Sequence, residues 1–156
     1  MALDTPDSFF AQLGRNRILL STLSAWFTAQ VFKVVIGFFR EKKFNFKWFI
    51  RSGGMPSSHV ALSACLTTSM GLYYGFDSGL FAMALGFAVI TMFDAQGVRR
   101  HSGRQATILN RILEDIYERR GVQEARLKEL VGHTSIEVYA GGLLGILIAA
   151  LFYARG

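Results

Sequence analysis

Four long apolar runs dominate this chain and restrict what it can fold into. They extend over residues 18–39, 60–74, 80–93 and 138–153. A helix needs about 20 apolar residues to cross a bilayer, so the second and third runs need polar flanking residues to complete a span. The pattern predicts an all-α integral membrane bundle of about four transmembrane helices, in a single domain over residues 1–156. The alternative is a soluble protein with four buried core helices.

Composition favours the membrane interpretation. Hydrophobic residues make up 51% of the chain and mean hydropathy is +0.32, while 17 Lys and Arg stand against 11 Asp and Glu. High apolar content together with basic charge is unusual for a soluble enzyme and common for a small membrane protein with charged loops. Cys65 is the only cysteine, which excludes an intramolecular disulfide and a cysteine-based metal cluster.

The basic residues are distributed unevenly about the four runs. Four spans put both termini on one face and the loops 40–59 and 94–137 on the other. The loop face carries thirteen Lys and Arg, against three on the terminal face. Cytoplasmic loops are enriched in these residues, so the loop face is predicted to be cytoplasmic, in the plasma (inner) membrane. The longer loop also contains an amphipathic pattern over residues 105–120, which predicts a cytoplasmic helix beneath the bundle or in the membrane interface.

Residues 53–59, Gly-Gly-Met-Pro-Ser-Ser-His, open the second apolar run. The two glycines let the backbone approach a ligand closely, and Pro56 suits the first turn of a helix. Ser57 or Ser58 can cap that helix and leave amide donors for an anion. A plain helix start explains the proline and one serine, but it explains neither His59 nor the double glycine.

His133 and Glu137 stand before the fourth run at i, i+4 spacing, so their side chains meet on one helical face. A carboxylate that holds an imidazole N–H fixes the tautomer and prepares the other ring nitrogen as a nucleophile or base. The alternative is a capped or salt-bridged helix start.

Further charged residues flank these motifs. Lys33 lies inside the first apolar run and either faces a polar partner or extends to the interface, and Arg40 follows two helical turns later. Arg99 and Arg100 follow the third run and either clamp phosphate oxygens or simply flank a span. Asp94 either orders these arginines or binds polar backbone.

These residues resemble the three-part signature of the type 2 phosphatidic acid phosphatase and vanadium haloperoxidase superfamily. They stand as Lys33-x6-Arg40, Pro56-Ser57-Ser58-His59 and His133-x3-Glu137-Val138-x-Ala140-Gly141, against patterns of roughly K-x6-R-P, P-S-G-H and S-R-x5-H-x3-D. The small divergent membrane branch is more similar, because it carries G-G-M-P-S-S-H, M-F-D-A-x-G-V-R-R and L-G-H-x-x-x-E-V. Those stretches stand at residues 53–59, 92–100 and 130–138, with Val131 inserted after Leu130.

The resemblance implies roles for the residues that match. His133 would be the nucleophile that forms a phosphohistidine, Glu137 would orient it, and His59 would protonate the leaving alkoxide. The phosphoryl oxygens would be bound by Lys33, Arg40, Ser57 and Ser58. No metal or cofactor is implied.

The chain departs from the general pattern at three places. Glu41 replaces the proline after Arg40, and Ser58 replaces a glycine. The Ser-Arg pair before His133 is also missing. Its phosphate-binding arginine would be replaced by Arg99, Arg100 or Arg126.

Two functions fit these observations. The first is a membrane phosphatase that hydrolyses phosphatidic acid, phosphatidylglycerol phosphate or a prenyl phosphate or diphosphate at the cytoplasmic surface. The second is a non-catalytic relative that binds or transports anionic lipids, which would need the arginines but not His133. The expected partners are the lipid substrate and the membrane, without nucleic acid. A homodimer would complete the small core of four short helices.

Overall fold

The structure is a computed structural model and describes residues 8–42, 54–98, 105–114 and 134–154. Every regular element in these ranges is helical. The elements are α1 (Phe9–Arg15), α2 (Arg17–Glu41), α3 (Ser58–Tyr74), α4 (Gly79–Phe93), a π-helix (Asp94–Val98), α5 (105–114) and α6 (Ser135–Ala154). The prediction of an all-α fold is confirmed for the described part of the chain.

All four apolar runs form helices, but only three are long and apolar enough to cross a membrane. These are Arg17–Phe39, Gly79–Gly97 and Ser135–Ala154. The remaining helix, α3, has 17 residues and is less apolar. The span Gly79–Gly97 contains the third apolar run and reaches spanning length because the π-helix continues α4 without a break. Three candidate spans are therefore established, and the predicted fourth is not.

The shorter helix α3 lies at the centre of the bundle, where it packs against α2, α4 and α6. Its buried positions include polar residues such as Ser63, Thr67 and Ser69. The Thr67 hydroxyl donates to the carbonyls of Ser63, at 2.8 Å, and of Ala84 on α4, at 3.0 Å. A hydroxyl group that has no access to water needs a hydrogen-bond partner in the protein. The polar residues of α3 are tolerated because the neighbouring helices supply such partners.

The outer helices α4 and α6 carry small residues inside and large residues outside. Ala84 and Ala88 are buried on α4, whereas Met83, Ile90 and Phe93 are 68–72% exposed. Large apolar residues on the outer surface are expected where lipid replaces water. The packing therefore agrees with a membrane protein and gives no support to a soluble core. The homodimer stays a prediction.

Two glycines on α6 let this helix approach α3 closely. A Cβ atom on Gly141 would lie 2.5 Å from the Ser57 carbonyl oxygen, and one on Gly145 would lie 2.3 Å from that of Ala61. Real Cβ contacts are longer, so both positions require glycine at this helix separation. The spacing of Gly141, Gly145 and the buried Ala149 places small residues on one face of α6.

The helices alternate in direction, which gives the bundle two distinct ends. The motif end holds Ser57–His59, the π-helix and the start of α6. The terminal end holds the start of α2, the turn of residues 75–78 and the end of α6.

The predicted amphipathic helix of residues 105–120 is present as α5 in its described part, residues 105–114. Ile108, Leu109 and Ile112 are 49–58% exposed, while Asn110 is buried. The apolar residues are thus not covered by the bundle, which favours the interface alternative. Residues 115–120 lie outside the described residues.

Candidate active site

The stretch Gly-Gly-Met-Pro-Ser-Ser-His at residues 53–59, called the first motif below, leads into α3. Ser57 is the N-cap residue, Ser58 is the first helical residue, and His59 follows on the exposed side of the first turn. The prediction of a histidine at a helix start is therefore confirmed for His59. Pro56 was expected in the first turn, and that prediction is wrong: Ser57, with extended backbone (φ −69°, ψ 113°), precedes the helix and places Pro56 outside it.

A backbone hydrogen bond joins the two histidine-bearing motifs. The Ser57 amide donates to the Glu137 carbonyl at 2.9 Å. The approach is possible because Gly141, one turn further along α6, has no side chain to meet the Ser57 backbone. The first motif and the start of α6 are thus held together by the main chain, independently of any ligand.

Lys33 reaches the same place from α2. Its side chain is only 7% exposed, and its Nζ donates to the Ser58 Oγ at 3.0 Å. A buried ammonium is costly unless polar groups surround it, so the position indicates a polar site rather than extension to the interface. Lys33 and Ser58, separated by 25 positions in sequence, form the contact that links α2 to the first motif.

Ser57 has a hydroxyl without a partner. The residue is fully buried, its Oγ makes no cap hydrogen bond, and that oxygen has no hydrogen-bond partner in the described part of the structure. Buried hydroxyls are usually satisfied, so an exception requires an explanation. A ligand oxygen at the start of α3 would provide the missing partner.

Residues 92–98, the described part of the Met-Phe-Asp-Ala stretch, meet the other two motifs through a small apolar cluster. Val60, Ala95 and Val138 are buried against one another, with Met92 packed beside them. These three residues come from α3, the π-helix and α6 respectively, so the cluster brings the three elements together at the motif end. A π-helix is rare and often occurs at functional sites. Asp94 begins it and is partly buried.

Glu137 takes part in a capping box at the start of α6. Its Oε2 accepts from the Thr134 amide at 3.0 Å, and its own amide donates to the Thr134 Oγ1 at 3.4 Å. This is the capped helix start that the sequence left open as an alternative. His133 lies outside the described residues, so its pairing with Glu137 stays a prediction.

The predicted site residues thus divide into two groups. The structure brings Lys33, Ser57, Ser58 and the backbone of Glu137 together, with His59 and Asp94 at the same end of the bundle. The other predicted residues have no described side chains, and their roles stay predictions: Arg40, Arg99, Arg100, Arg126 and His133. Within the described residues, no group of three or more His, Cys, Asp and Glu side chains could hold a metal ion.

Sequence reasoning did not assign two features that build this site. Gly141 and Gly145 determine how closely α6 approaches α3, and their i, i+4 spacing is a known signal for close helix contact in membranes. Thr134 caps α6 together with Glu137, and the Thr-x-x-Glu pattern signals such a cap. Both signals were present in the sequence.

The apolar outer surface and the candidate spans define this chain as a membrane protein. A family model described as the divergent PAP2 family matches residues 14–148. The chain is also 47% identical over 150 residues to YuiD, an uncharacterized membrane protein of Bacillus subtilis (strain 168). That match covers 88% of this chain and 94% of the relative. No solved structure matches the chain. The chain therefore belongs to the divergent PAP2 family, as its motifs predicted.

Proposed function

We propose that this protein is a metal-independent phosphatase that hydrolyses a lipid phosphate at the motif end of the bundle. One observation carries the proposal. The buried Lys33 ammonium donates to Ser58 beside the unpartnered Ser57 hydroxyl, at the point where the two histidine-bearing motifs are hydrogen-bonded together. Family membership supports the same reaction class.

The described groups suit a phosphoryl group. Its oxygens carry negative charge, which a buried cation and a helix N-terminus stabilise more strongly than water-exposed groups would. An ammonium carries three N–H donors, and each serine hydroxyl can donate as well as accept. Lys33, Ser57 and Ser58 would therefore bind the phosphoryl oxygens at the start of α3. Arg40 would add charge from the end of α2, and Arg99 and Arg100 would add it from the segment that follows the π-helix.

In the proposed reaction the two histidines act on opposite sides of the phosphorus, His133 as the nucleophile and His59 as the acid. An imidazole nitrogen of His133 attacks the phosphorus, the bond from phosphorus to the lipid oxygen breaks, and His59 gives its proton to the leaving oxygen. Water then attacks the phosphohistidine, His59 takes a proton from that water, and phosphate leaves with His133 restored. Positioning and charge stabilisation supply most of the catalysis in phosphoryl transfer, so no metal is required.

The substrate would enter sideways from the bilayer. Its phosphate would reach the motif end while its tails stay among the exposed apolar side chains of the outer helices. Phosphatidic acid, phosphatidylglycerol phosphate and prenyl phosphates all fit this description. A panel of these lipids is therefore the appropriate substrate set.

The decisive experiment measures phosphate release by the full chain purified in detergent. His133→Ala and His59→Ala are compared with His101→Ala, a matched control because His101 is the third histidine and has no assigned role. We expect release by wild type and by His101→Ala, and a loss of about 1,000-fold or more in His133→Ala. If wild type binds these lipids without releasing phosphate, the protein is instead a non-catalytic lipid-binding relative.

We further propose that the motif end faces the cytoplasm of the cell, on the basis of its excess of Lys and Arg. Single cysteines at Asn45 and Asp77, introduced into a Cys65→Ala chain, report the two faces by labelling with a membrane-impermeant thiol reagent. Asp77 lies in the exposed turn at the terminal end. We expect the reagent to reach position 77 from outside intact cells and position 45 only after lysis. The reverse pattern would overturn this orientation.

A further inference from the structure

The terminal end contains a cavity that the phosphatase proposal does not use. Its volume is about 650 Å³, within the range of about 300–1,000 Å³ typical of small-molecule sites. It lies between α1, the start of α2 and the last turns of α3. The length of the bundle separates it from Lys33 and Ser58, so it is a different site.

The cavity is lined by basic residues, although it lies on the face of the bundle that is poor in Lys and Arg. The terminal face carries only three basic residues, and two of them, Arg15 and Arg17, line the cavity. None of its described lining residues is acidic. Gln12 and Asn16 add side-chain amides to the same wall. Basic residues are scarce on this face, and their convergence on one cavity indicates a site for an anion.

Arg17 is held in place by the end of α6. Its guanidinium donates to the Phe152 carbonyl and lies 5.1 Å from the centre of the Tyr153 ring. A guanidinium has five N–H donors in a fixed fork, so one bond to a carbonyl leaves the group able to bind an oxyanion. Fixing the arginine beforehand lowers the entropic cost of binding.

A buried hydroxyl also lines the cavity without a partner. Thr22 is 7% exposed, and its Oγ1 has no hydrogen-bond partner by distance and angle among the described residues. Below the arginines the wall becomes apolar at Leu66 and Met70. The cavity therefore has a cationic mouth and an apolar interior, which suits a ligand with a charged head and a hydrocarbon tail.

Two tyrosines line the mouth of this cavity. Tyr73 and Tyr74 are 58% and 49% exposed. Tyrosine is enriched at membrane interfaces because its ring is apolar and its hydroxyl is polar, which supports a position of this mouth near the lipid headgroups.

We propose that this cavity binds a phosphate-bearing anion and that a lipid headgroup of the leaflet at the terminal end supplies it. Arg15 and Arg17 bind the phosphate, Thr22 donates its hydroxyl, and Leu66 and Met70 contact the hydrocarbon. The site has no histidine, so it binds without hydrolysing. This binding site is independent of the reaction proposed for the motif end.

Native mass spectrometry of the full chain in detergent tests this site by counting bound molecules. All chains carry His133→Ala, so that the motif end does not consume the phosphatidic acid, and the chain with this change alone is the wild-type reference for the arginine variants. The probes are dihexanoyl phosphatidic acid, inorganic phosphate and uncharged dihexanoylglycerol. Arg15→Gln and the double variant Arg15→Gln/Arg17→Gln are compared with Arg111→Gln, which removes one exposed arginine of α5. We expect affinity for the phosphatidic acid to fall about tenfold in Arg15→Gln, and the double variant to bind one molecule fewer than wild type.

Each outcome decides the proposal. If dihexanoylglycerol and inorganic phosphate both bind more weakly than the phosphatidic acid, the ligand is a lipid phosphate. If inorganic phosphate binds as tightly as the phosphatidic acid, the ligand is free phosphate. If the double variant binds as many molecules as wild type and Arg111→Gln, the proposal is overturned. Arg15 lies on the exposed helix α1, so its single substitution remains informative if loss of the Arg17 contact to α6 unfolds the double variant. Failure of the phosphatase assay would leave this count unaffected.

Discussion

At the motif end of α3 the buried Ser58 hydroxyl accepts a hydrogen bond from Lys33, whereas at the terminal end the buried Ser69 hydroxyl pairs with Ser21 at 3.0 Å. Both contacts join α3 to α2. At the terminal end two neutral hydroxyls satisfy each other, so the contact stabilises packing. At the motif end the contact includes a cation, and the neighbouring Ser57 hydroxyl has no partner.

The histidines follow the same division. His59 lies at the motif end, while His101 follows the π-helix in sequence and His133 stands two residues before the first residue of α6. The terminal end has arginines and a cavity, and none of the described residues that line this cavity is a histidine. The comparison therefore contrasts a site proposed to bind an anion with a site proposed also to react with one, and the histidines are the groups that distinguish them.

The largest effect expected from a described residue is at Lys33. Lys33→Met should lower phosphate release by about 100-fold or more, because it removes a buried charge from the developing negative charge of the transition state. Arg111→Met, which removes an exposed cation on α5, should leave the rate of phosphate release unchanged. Equal losses in both variants would show that the effect of Lys33→Met does not depend on its position in the site.

A second test uses the close approach of α6 to the first motif. Gly141→Ala should lower the free energy of unfolding by about 1–3 kcal/mol, because its Cβ would meet the Ser57 backbone. Gly142→Ala is the matched control, since the nearest atom to its Cβ would be at 3.8 Å. Unfolding by SDS in mixed micelles measures both. Equal stability of the two variants would contradict the described approach.

Two serines then separate binding from packing. Ser57→Ala should lower phosphate release by about tenfold without loss of stability, because the folded protein gives this hydroxyl no hydrogen bond. Ser69→Ala should do the reverse, lowering stability by about 1 kcal/mol while activity is kept, because it breaks the bond to Ser21. A loss of stability in Ser57→Ala would mean that its hydroxyl has a structural partner.

The smallest effect is expected at the cap of α6. Thr134→Ala should lower the free energy of unfolding by about 1 kcal/mol, because the hydroxyl that accepts from the Glu137 amide is lost. Thr134→Ser keeps that oxygen and serves as the control. Thermal unfolding in detergent should give the serine variant the same unfolding temperature as wild type. An alanine variant as stable as wild type would show that the cap does not stabilise the protein.

Much of the fold was predictable because apolar runs and motifs are local signals. The run at residues 80–93 corresponds to α4, and the one at residues 138–153 lies within α6. The short run at residues 60–74 also forms a helix, although its 17 helical residues fall short of a complete span. The length of this apolar run could not show that α3 lies at the centre of the bundle and is enclosed by protein.

The sequence named Lys33, Ser57 and Ser58 as candidate site residues, but it did not predict the contacts that these residues make. The i, i+7 spacing of Lys33 and Arg40 suggested a shared face, but only the packing of α2 on α3 shows that Lys33 meets Ser58. The missing partner of Ser57 also depends on tertiary structure, because either serine appeared able to cap the helix. Such contacts join residues far apart in sequence, so no local pattern specifies them.

Trapping the phosphorylated enzyme tests the central claim most directly. The protein is mixed with a lipid phosphate labelled in its phosphoryl group and denatured in alkali, in which phosphohistidine survives. We expect label on wild type and on His101→Ala, and none on His133→Ala. Label that persists on His133→Ala, or release of phosphate by a wild-type protein that never becomes labelled, would contradict it.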